Sequence, residues 1–144
     1  MFKNVSVAIL GSTGYVGLEL VKILSSHPNI TINFLGSENS VNKKITELDN
    51  NLSKFNLPII DLNANFIPEN SEIVFLALPH GISHKYVNKL FNKIKIIDLS
   101  ADFRINNIEL YKKNYEDNHS CPELIKNFVY GLAEINKTTL VNSS

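Results

Sequence analysis

The stretch VAILGSTGYVGLELVKIL, residues 7–24, decides the fold of this chain. An apolar run ends at Gly11, two more glycines follow at Gly14 and Gly17, and a helical apolar rhythm then begins. We predict a buried strand over 5–10 and a helix over 15–26. Glycine takes the positive φ of a tight turn and lets other groups approach its backbone closely. The three glycines therefore predict a tight turn from strand to helix.

The rest of the chain repeats this alternation of strands and helices. Further strands are expected over 30–35, 58–62, 72–78 and 94–99, and helices over 81–93 and 107–116, with 122–127 a weaker helix candidate, while 36–44 is a polar loop and 45–57 is ambiguous. Because the best strands are apolar throughout, the pattern is typical of a parallel sheet covered on both faces. The expected fold class is α/β, a doubly wound and mostly parallel Rossmann-like sheet forming one domain over 1–144.

Two details of the packing follow from periodicity. Val16, Leu20, Ile23 and Leu24 fall on one side of the first helix and are expected to face the sheet. In the second helix, the expected inner residues are Ile82, Tyr86, Val87, Leu90 and Phe91. Residues 30–35 alternate between apolar and polar, which predicts a regular strand.

Composition excludes several classes of function. The chain has 144 residues, a formal net charge of zero and one cysteine. Zero net charge gives no support to a nucleic-acid or membrane partner, which usually requires a basic excess. No apolar stretch reaches the roughly 20 residues of a membrane span, and no signal-peptide pattern is present. We expect a cytoplasmic protein without an internal disulfide.

The glycine turn predicts a dinucleotide site. Glycines between a strand and a helix let a pyrophosphate approach the backbone, and the helix N-terminus offers it free N–H groups and a positive dipole. The expected cofactor-binding residues of this turn are Gly11, Ser12, Thr13, Gly14, Tyr15, Val16 and Gly17, with hydroxyl donors from Ser12 and Thr13. A Walker-type phosphate loop is excluded, because no Gly-Lys-Ser/Thr follows a glycine at the required spacing.

The end of the second strand favours NADP(H). An acidic residue there would hold a ribose 2′-hydroxyl, whereas a small residue with nearby cations suits a 2′-phosphate. Ser37 is small, and Lys43 and Lys44 supply positive charge. Glu38 argues against NADP(H), because its carboxylate would favour the unphosphorylated cofactor.

Four motifs together resemble one enzyme family. GSTGYVG, ALPHGISH, DLSADFR and YGLAEIN are similar, in order and spacing, to N-acetyl-γ-glutamyl-phosphate reductases of arginine biosynthesis, in a wider group with the aspartate-semialdehyde dehydrogenases. PHGISH and SADFR favour the acetylglutamyl branch, and the lysine-pathway reductase with an aminoadipyl substrate stays open. The resemblance implies that NADPH reduces a small acyl phosphate to an aldehyde and releases phosphate, through a thioester on a cysteine.

Three later stretches, 76–84, 97–104 and 129–136, are polar and are each expected to lie where a strand ends. The resemblance also implies roles for residues in them. Leu78, Pro79, His80 and Gly81 would line the nicotinamide side of the cleft. Arg104, the only arginine of the chain, would bind the substrate phosphate, because a guanidinium matches two phosphate oxygens. Ser100, Asp102, Tyr130 and Glu134 would lie by the substrate, although Asp102 would equally cap a turn or pair with Arg104, and Tyr130 would equally be core. His80 and His84 are four residues apart, but no third ligand is suggested, so no metal site is expected.

The chain departs from the family pattern in one decisive respect. The Asn-Pro-Gly-Cys stretch that carries the family's nucleophile should follow YGLAEIN and is absent, as are the second, substrate-binding domain and a later catalytic histidine. Cys121 lies before YGLAEIN, so it does not take the position of this nucleophile. We therefore expect a cofactor domain that ends before its nucleophile, has no catalytic residue of its own, and belongs to a homo-oligomeric enzyme.

Two alternative functions compete with this one. A non-catalytic NAD(P)-binding sensor would also lack a nucleophile, but it would not need an anion site at Arg104. A short-chain dehydrogenase is disfavoured, because none of the five tyrosines has a lysine four residues on.

Overall fold

The computed structural model describes residues 3–52, 55–62, 69–115 and 118–143. Its strands are β1 (Val5–Leu10), β2 (Ile30–Ser37), β3 (Ile59–Asp61), β4 (Ile73–Leu76) and β5 (Lys95–Asp98). Its α-helices are α1 (Tyr15–Ser25), α2 (Ser83–Leu90), α3 (Ile108–Tyr115) and α4 (Ala133–Val141). Short 3-10 helices cover Ile45–Glu47, Asn50–Leu52 and Pro122–Asn127. In the described part of the chain, no helix is long and apolar enough to cross a membrane.

The five strands form one parallel sheet in the order β3-β2-β1-β4-β5. Along the central strand β1, Val7 and Ile9 face one hydrophobic cluster while Ala8 and Leu10 face the other. A strand buried on both faces explains why its sequence is apolar without alternation. The prediction of a doubly wound, Rossmann-like α/β domain is confirmed.

Helix α1 covers the face of Val7 and Ile9, but not with the predicted residues. Its buried positions are Gly17, Val21 and Leu24, whereas Val16 and Ile23 are 57% and 60% exposed. The predicted inner side was therefore wrong for these two residues. The reason lies in the turn, since Gly17 must approach the turn backbone and Val21 and Leu24 follow it at helical spacing.

The other face is covered by α2, the loop after β5 and the Pro122–Asn127 helix. Val87 and Leu90 of α2 are buried there, as periodicity predicted. Phe103 joins this cluster from the loop after β5, and its ring stacks on that of Phe128 at 4.1 Å between centroids. This packing fixes the loop after β5 to the body of the domain.

Three local predictions were wrong. Strand β2 does not alternate regularly, because its register with β1 shifts between Val7 and Ala8, which puts Ile32 and Phe34 in opposite clusters. It also runs on to Ser37, into the stretch assigned to a loop. The stretch 129–136 does not follow a strand. It follows the Pro122–Asn127 helix and includes the start of α4, a helix the sequence did not predict.

Candidate functional site

The glycine turn is held at the carboxyl edge of the sheet, between β1 and α1. Gly11 has φ +85°, which L side chains rarely adopt. A Cβ there would lie 2.2 Å from the Ala77 carbonyl oxygen and 3.2 Å from Cδ2 of Leu78. Gly11 thus allows the chain to turn directly against the residues that follow β4, and it brings the predicted residue Leu78 beside the glycine turn.

The second close approach joins the two ends of the turn. A Cβ on Gly17 would lie 2.0 Å from the Gly11 carbonyl oxygen. Gly14 differs, because among its described non-adjacent neighbours a Cβ would meet only that same oxygen, at the ordinary distance of 3.6 Å. Its φ of −74° suits any residue. Gly11 and Gly17 are therefore required by the packing of the turn, and Gly14 is not.

Helix α1 begins without a side-chain cap. Gly14 stands at its N-cap and offers no side-chain acceptor to the first-turn amides. Tyr15 and Val16, the first two helical residues, are 99% and 57% exposed. The first turn therefore presents uncapped N–H groups at the open edge of the sheet, which is a suitable arrangement for an anion.

Ser12, Thr13 and Ser37 brace the turn against the end of β2. The carbonyl oxygen of Gly36 accepts from the Gly11 amide at 2.8 Å and from both the amide and the hydroxyl of Ser12, at 3.0 and 3.2 Å. The hydroxyls of Thr13 and Ser37 lie 2.5 Å apart, and Ser37 also accepts from the Asn39 amide at 3.2 Å. The buried hydroxyl of Ser12 is thus directed into the protein rather than toward a ligand.

The predicted 2′-phosphate residues lie beyond Ser37. Glu38, Lys43 and Lys44 are all exposed. Backbone bonds between this loop and β3 hold the lysines in place, since the Lys43 carbonyl accepts from the Ile59 amide at 2.9 Å. The Lys44 amide donates to Glu47 Oε1 at 2.9 Å. Both lysine side chains therefore leave a backbone that is fixed beside the start of β3.

The loop after β4 carries Pro79 and His80, which are both exposed. The His80 ring lies 5.5 Å from that of Tyr115, between centroids. His84 lies instead inside α2 and is 1% exposed, so the two histidines do not share a helix face. Among the described residues, no group of three His, Cys, Asp or Glu side chains is placed to hold a metal ion.

The loop after β5 is organised by carboxylates. Asp98 Oδ1 and Oδ2 accept from the amide and the hydroxyl of Ser100, at 3.1 and 2.8 Å. Burial raises the pKa of Asp98, against the opposing effect of the Ser100 hydrogen bonds. Ser100 Oγ in turn accepts from the Asp102 amide at 3.1 Å. Ser100 is thus used to shape the loop.

Asp102 is fully buried and caps helix α2. Its Oδ1 accepts from the Gly81 amide and the Tyr111 hydroxyl, each at 2.8 Å, and its Oδ2 from the His84 amide at 3.1 Å. Of the two alternatives that the sequence left open, the structure shows the capping one. Asp102 faces the start of α2 and does not pair with Arg104.

Arg104 is exposed and open to a ligand. Its Nη2 donates to the Ser100 carbonyl at 3.3 Å, and its amide donates to the Ala101 carbonyl at 3.2 Å. No carboxylate of the described residues lies within ion-pair distance of its guanidinium. Most of its five donors are therefore available to an anion.

Cys121 has the properties of a structural thiol. It is fully buried, and its Sγ donates to the His84 carbonyl at 3.3 Å. Burial raises the pKa of the thiol to about 11. Burial also lowers the pKa of His119, and the neighbouring His84 adds to that effect. Since the thiolate is the reactive form, Cys121 is not activated as a nucleophile.

Tyr130 and Glu134 lie apart from this network. Both are exposed, and Glu134 is in the first turn of α4. Within the described ranges, no hydrogen bond, ion pair or ring contact joins either of them to Ser100, Asp102 or Arg104. The Tyr130 carbonyl instead accepts from Asn136 Nδ2 at 3.0 Å. The structure therefore brings together the glycine turn and the two later loops, and leaves these two residues outside.

Sequence reasoning missed several residues that hold the site. Gly36 binds the glycine turn, and a Cβ there would lie 2.3 Å from Cδ2 of Leu62. Gly81 has φ +76° and donates to Asp102. Gly36 was visible as a glycine next to a strand end. Gly81 was expected at the nicotinamide side of the cleft, and what sequence reasoning missed is its bond to Asp102. Tyr111 and His119 gave no such signal, because their spacing is that of ordinary helix or loop residues.

Comparison with known proteins places this geometry in a family. The model of the semialdehyde dehydrogenase NAD-binding domain matches residues 6–143. The chain belongs to this family. N-acetyl-γ-glutamyl-phosphate reductases are its relatives at 42% identity in Halothermothrix orenii, 43% in Ehrlichia canis and 40% in Acinetobacter baylyi, over 97%, 100% and 92% of this chain. The chain spans 41%, 42% and 38% of those relatives.

Solved structures agree on the fold of this semialdehyde dehydrogenase domain. Aspartate semialdehyde dehydrogenase of Candida albicans, solved with NADP, matches with a TM-score of 0.61 and 19% identity, over 71% of this chain and 31% of that one. Aspartate semialdehyde dehydrogenase II of Vibrio cholerae gives 0.57 and 21%, over 71% and 32%. The sequence comparisons therefore show the family, and the sequence and structure comparisons together show the architecture.

Proposed function

We propose that this chain is the NADP(H)-binding portion of an N-acetyl-γ-glutamyl-phosphate reductase, and that the enzyme reduces this acyl phosphate to its semialdehyde. The observation that carries the proposal is the glycine turn. Gly17 lies against Gly11, and the uncapped first turn of α1 is open at the carboxyl edge of a parallel sheet. That edge is where dinucleotides bind in folds of this class. The relatives at 40–44% identity supply the reaction.

The preference for NADP rests on the end of β2. Its last residue, Ser37, carries no charge, and its hydroxyl is occupied by Thr13 and Asn39. Lys43 and Lys44 are exposed on a backbone anchored to β3 and are the cations available to a 2′-phosphate. Glu38 is exposed as well and can turn away into water. The balance of charge in this loop therefore favours the phosphorylated cofactor.

Arg104 is the proposed site of the substrate phosphate. It is the only arginine of the chain, and no carboxylate of the described residues neutralises it. The loop that carries it is adjacent to the loop of Pro79 and His80, because β4 and β5 are neighbours in the sheet. Tyr130 and Glu134 would join the substrate only in a different arrangement of the segment after Phe128. An open anion site favours the reductase over a sensor, which needs none.

The chain would not carry out the reduction by itself. Its only cysteine is buried with a raised pKa, so it does not supply the thiolate that forms the thioester. We propose that the nucleophile and the substrate domain belong to the rest of a homo-oligomeric enzyme. Residues 1–144 would then bind and orient the cofactor and the phosphate.

Binding of NADPH and NADH to the purified chain tests the proposal. Titration followed by nucleotide fluorescence should show saturable binding of both, with NADPH the tighter ligand. If neither nucleotide binds, the assignment of the glycine turn is contradicted. Tighter binding of NADH would contradict the role given to Lys43 and Lys44 while leaving the turn intact.

A further inference from the structure

The loop with Arg104 is tied to the loop with His80 by one buried carboxylate. Asp102 lies in the middle of the segment 99–104, and both of its oxygens are occupied by groups outside that segment. Gly81 and His84 donate from the start of α2, and Tyr111 donates from α3. Asp102 therefore joins three elements at the carboxyl edge of the sheet.

The charge of Asp102 is well matched to this position. The start of a helix carries a partial positive charge, and its free amides prefer a charged acceptor. The Gly81 and His84 amides would otherwise be left open at the start of α2. An anionic ligand is thus not drawn to this helix end, because the protein's own carboxylate fills it. Among the described residues of the loops after β4 and β5, Arg104 is the exposed cation that an anion can reach.

Hydrogen bonds of the backbone around Asp102 determine where the Arg104 backbone lies. The Asp102 amide donates to Ser100 Oγ, and the Arg104 amide closes a turn on the Ala101 carbonyl. On the other side of Asp102, its carbonyl lies 3.0 Å from Nε2 of the buried His119. These backbone anchors all lie within two residues of Asp102. We therefore expect a change in the carboxylate to move Arg104 relative to Gly81.

We infer that Asp102, held by Tyr111, is a positioning residue that sets Arg104 at the distance from the glycine turn that the substrate phosphate requires. This inference rests on the proposed function. Asp102 itself would touch neither substrate nor cofactor, since it is fully buried. Tyr111 acts through it in the same way, as a fully buried hydroxyl donor from α3.

Inorganic phosphate and the single arginine give a direct test. Because Arg104 is the only arginine, its Nε–H gives one assignable NMR signal in the 15N-labelled chain. Phosphate is titrated against this signal in the presence of NADPH, and NADPH affinity is measured separately by fluorescence. The variants are Asp102→Asn and Tyr111→Phe. Tyr86→Phe is the matched control, because it removes the hydroxyl of a tyrosine on α2 that donates to the Leu62 carbonyl, away from Asp102.

Asp102→Asn should weaken phosphate binding about tenfold, because an amide cannot accept all three hydrogen bonds. Tyr111→Phe should weaken it about threefold, since one of three donors is lost. The control should leave it unchanged. NADPH affinity should fall by no more than about twofold in each variant, because the glycine turn is untouched.

Wild-type phosphate affinity in Asp102→Asn and Tyr111→Phe would overturn the inference. If Asp102→Asn does not fold, Tyr111→Phe decides the question by the same measurement. A wild-type chain that binds NADPH but shows no phosphate shift at Arg104 would also overturn it, with the cofactor assignment intact. Failure to bind NADPH, with the phosphate responses as expected, would instead contradict the proposed function alone.

Discussion

Gly17 packs directly on the carbonyl group of Gly11, so closely that a Cβ at residue 17 would lie 2.0 Å from the oxygen. This contact joins the start of the turn to the first turn of α1. It fixes both the entry of the helix and its rotation about its own axis. Gly14, halfway between them, has an ordinary φ and ordinary space around its Cβ. The three glycines of one motif therefore serve two different purposes.

Gly17→Ala should destabilise the fold strongly, and Gly14→Ala should destabilise it much less. A methyl group at residue 17 overlaps backbone atoms, so it displaces the turn at a cost of about 3 kcal/mol. At residue 14 the loss is that of a poorer N-cap, about 1 kcal/mol. Urea unfolding of the two variants measures the difference. A Gly17→Ala chain as stable as the Gly14→Ala chain would contradict the packing argument.

Gly14→Ala should still impair cofactor binding. Among the described neighbours, only the Gly11 carbonyl oxygen lies within 4 Å of a Cβ at residue 14, so the added methyl group enters the open space before α1. A pyrophosphate at this helix start would meet it, and NADPH affinity should fall about tenfold. Fluorescence titration of the folded variant measures this. Unchanged affinity would place the pyrophosphate elsewhere.

The double variant Lys43→Ala/Lys44→Ala should bind NADPH far more weakly while NADH affinity changes little. Each exposed cation near a phosphate contributes about 1 kcal/mol or less at moderate ionic strength, so the loss for NADPH should be about tenfold. Lys137→Ala, an exposed lysine of α4, is the control for general charge effects. Equal losses for the two nucleotides would remove the lysines from the 2′-phosphate site.

Cys121 should react slowly with iodoacetamide in the native chain. With a pKa of about 11 in place of the usual 9.0, the thiol has about a hundredfold less thiolate at pH 8. Folding raises the pKa of the Cys121 thiol from 9.0 to about 11. The buried, protonated thiol therefore contributes fully to the stability of the fold below pH 9, and this contribution is lost as the pH rises through 11. Cys121→Ser should lose less stability over that interval than the wild type. Rapid native alkylation at pH 8 would contradict the buried assignment.

The sequence was sufficient for the sheet, the glycine turn and the loops after β4 and β5, because each rests on a local pattern. Apolar runs predict buried strands, and glycines beside them predict turns. Helix α4 was not predictable in this way, since none of its residues is buried and no apolar face marks it. The role of Asp102 was undecided for another reason. Its partners Gly81, His84 and Tyr111 lie 9 to 21 residues away along the chain.

A last prediction concerns Val21 and Ile23, because the apolar periodicity of α1 did not predict which of the two is buried. Val21 is fully buried and Ile23 is 60% exposed, although the larger apolar side chain was expected inside. Val21→Ala should therefore cost about 2 kcal/mol in the free energy of unfolding, since it leaves a cavity against the sheet. Ile23→Ala should stay within about 0.5 kcal/mol of the wild type, as exposed substitutions do. Denaturant unfolding of both variants measures the two values. If Ile23→Ala proves the more costly, the helix is rotated as periodicity suggested, and Gly17 can no longer face Gly11.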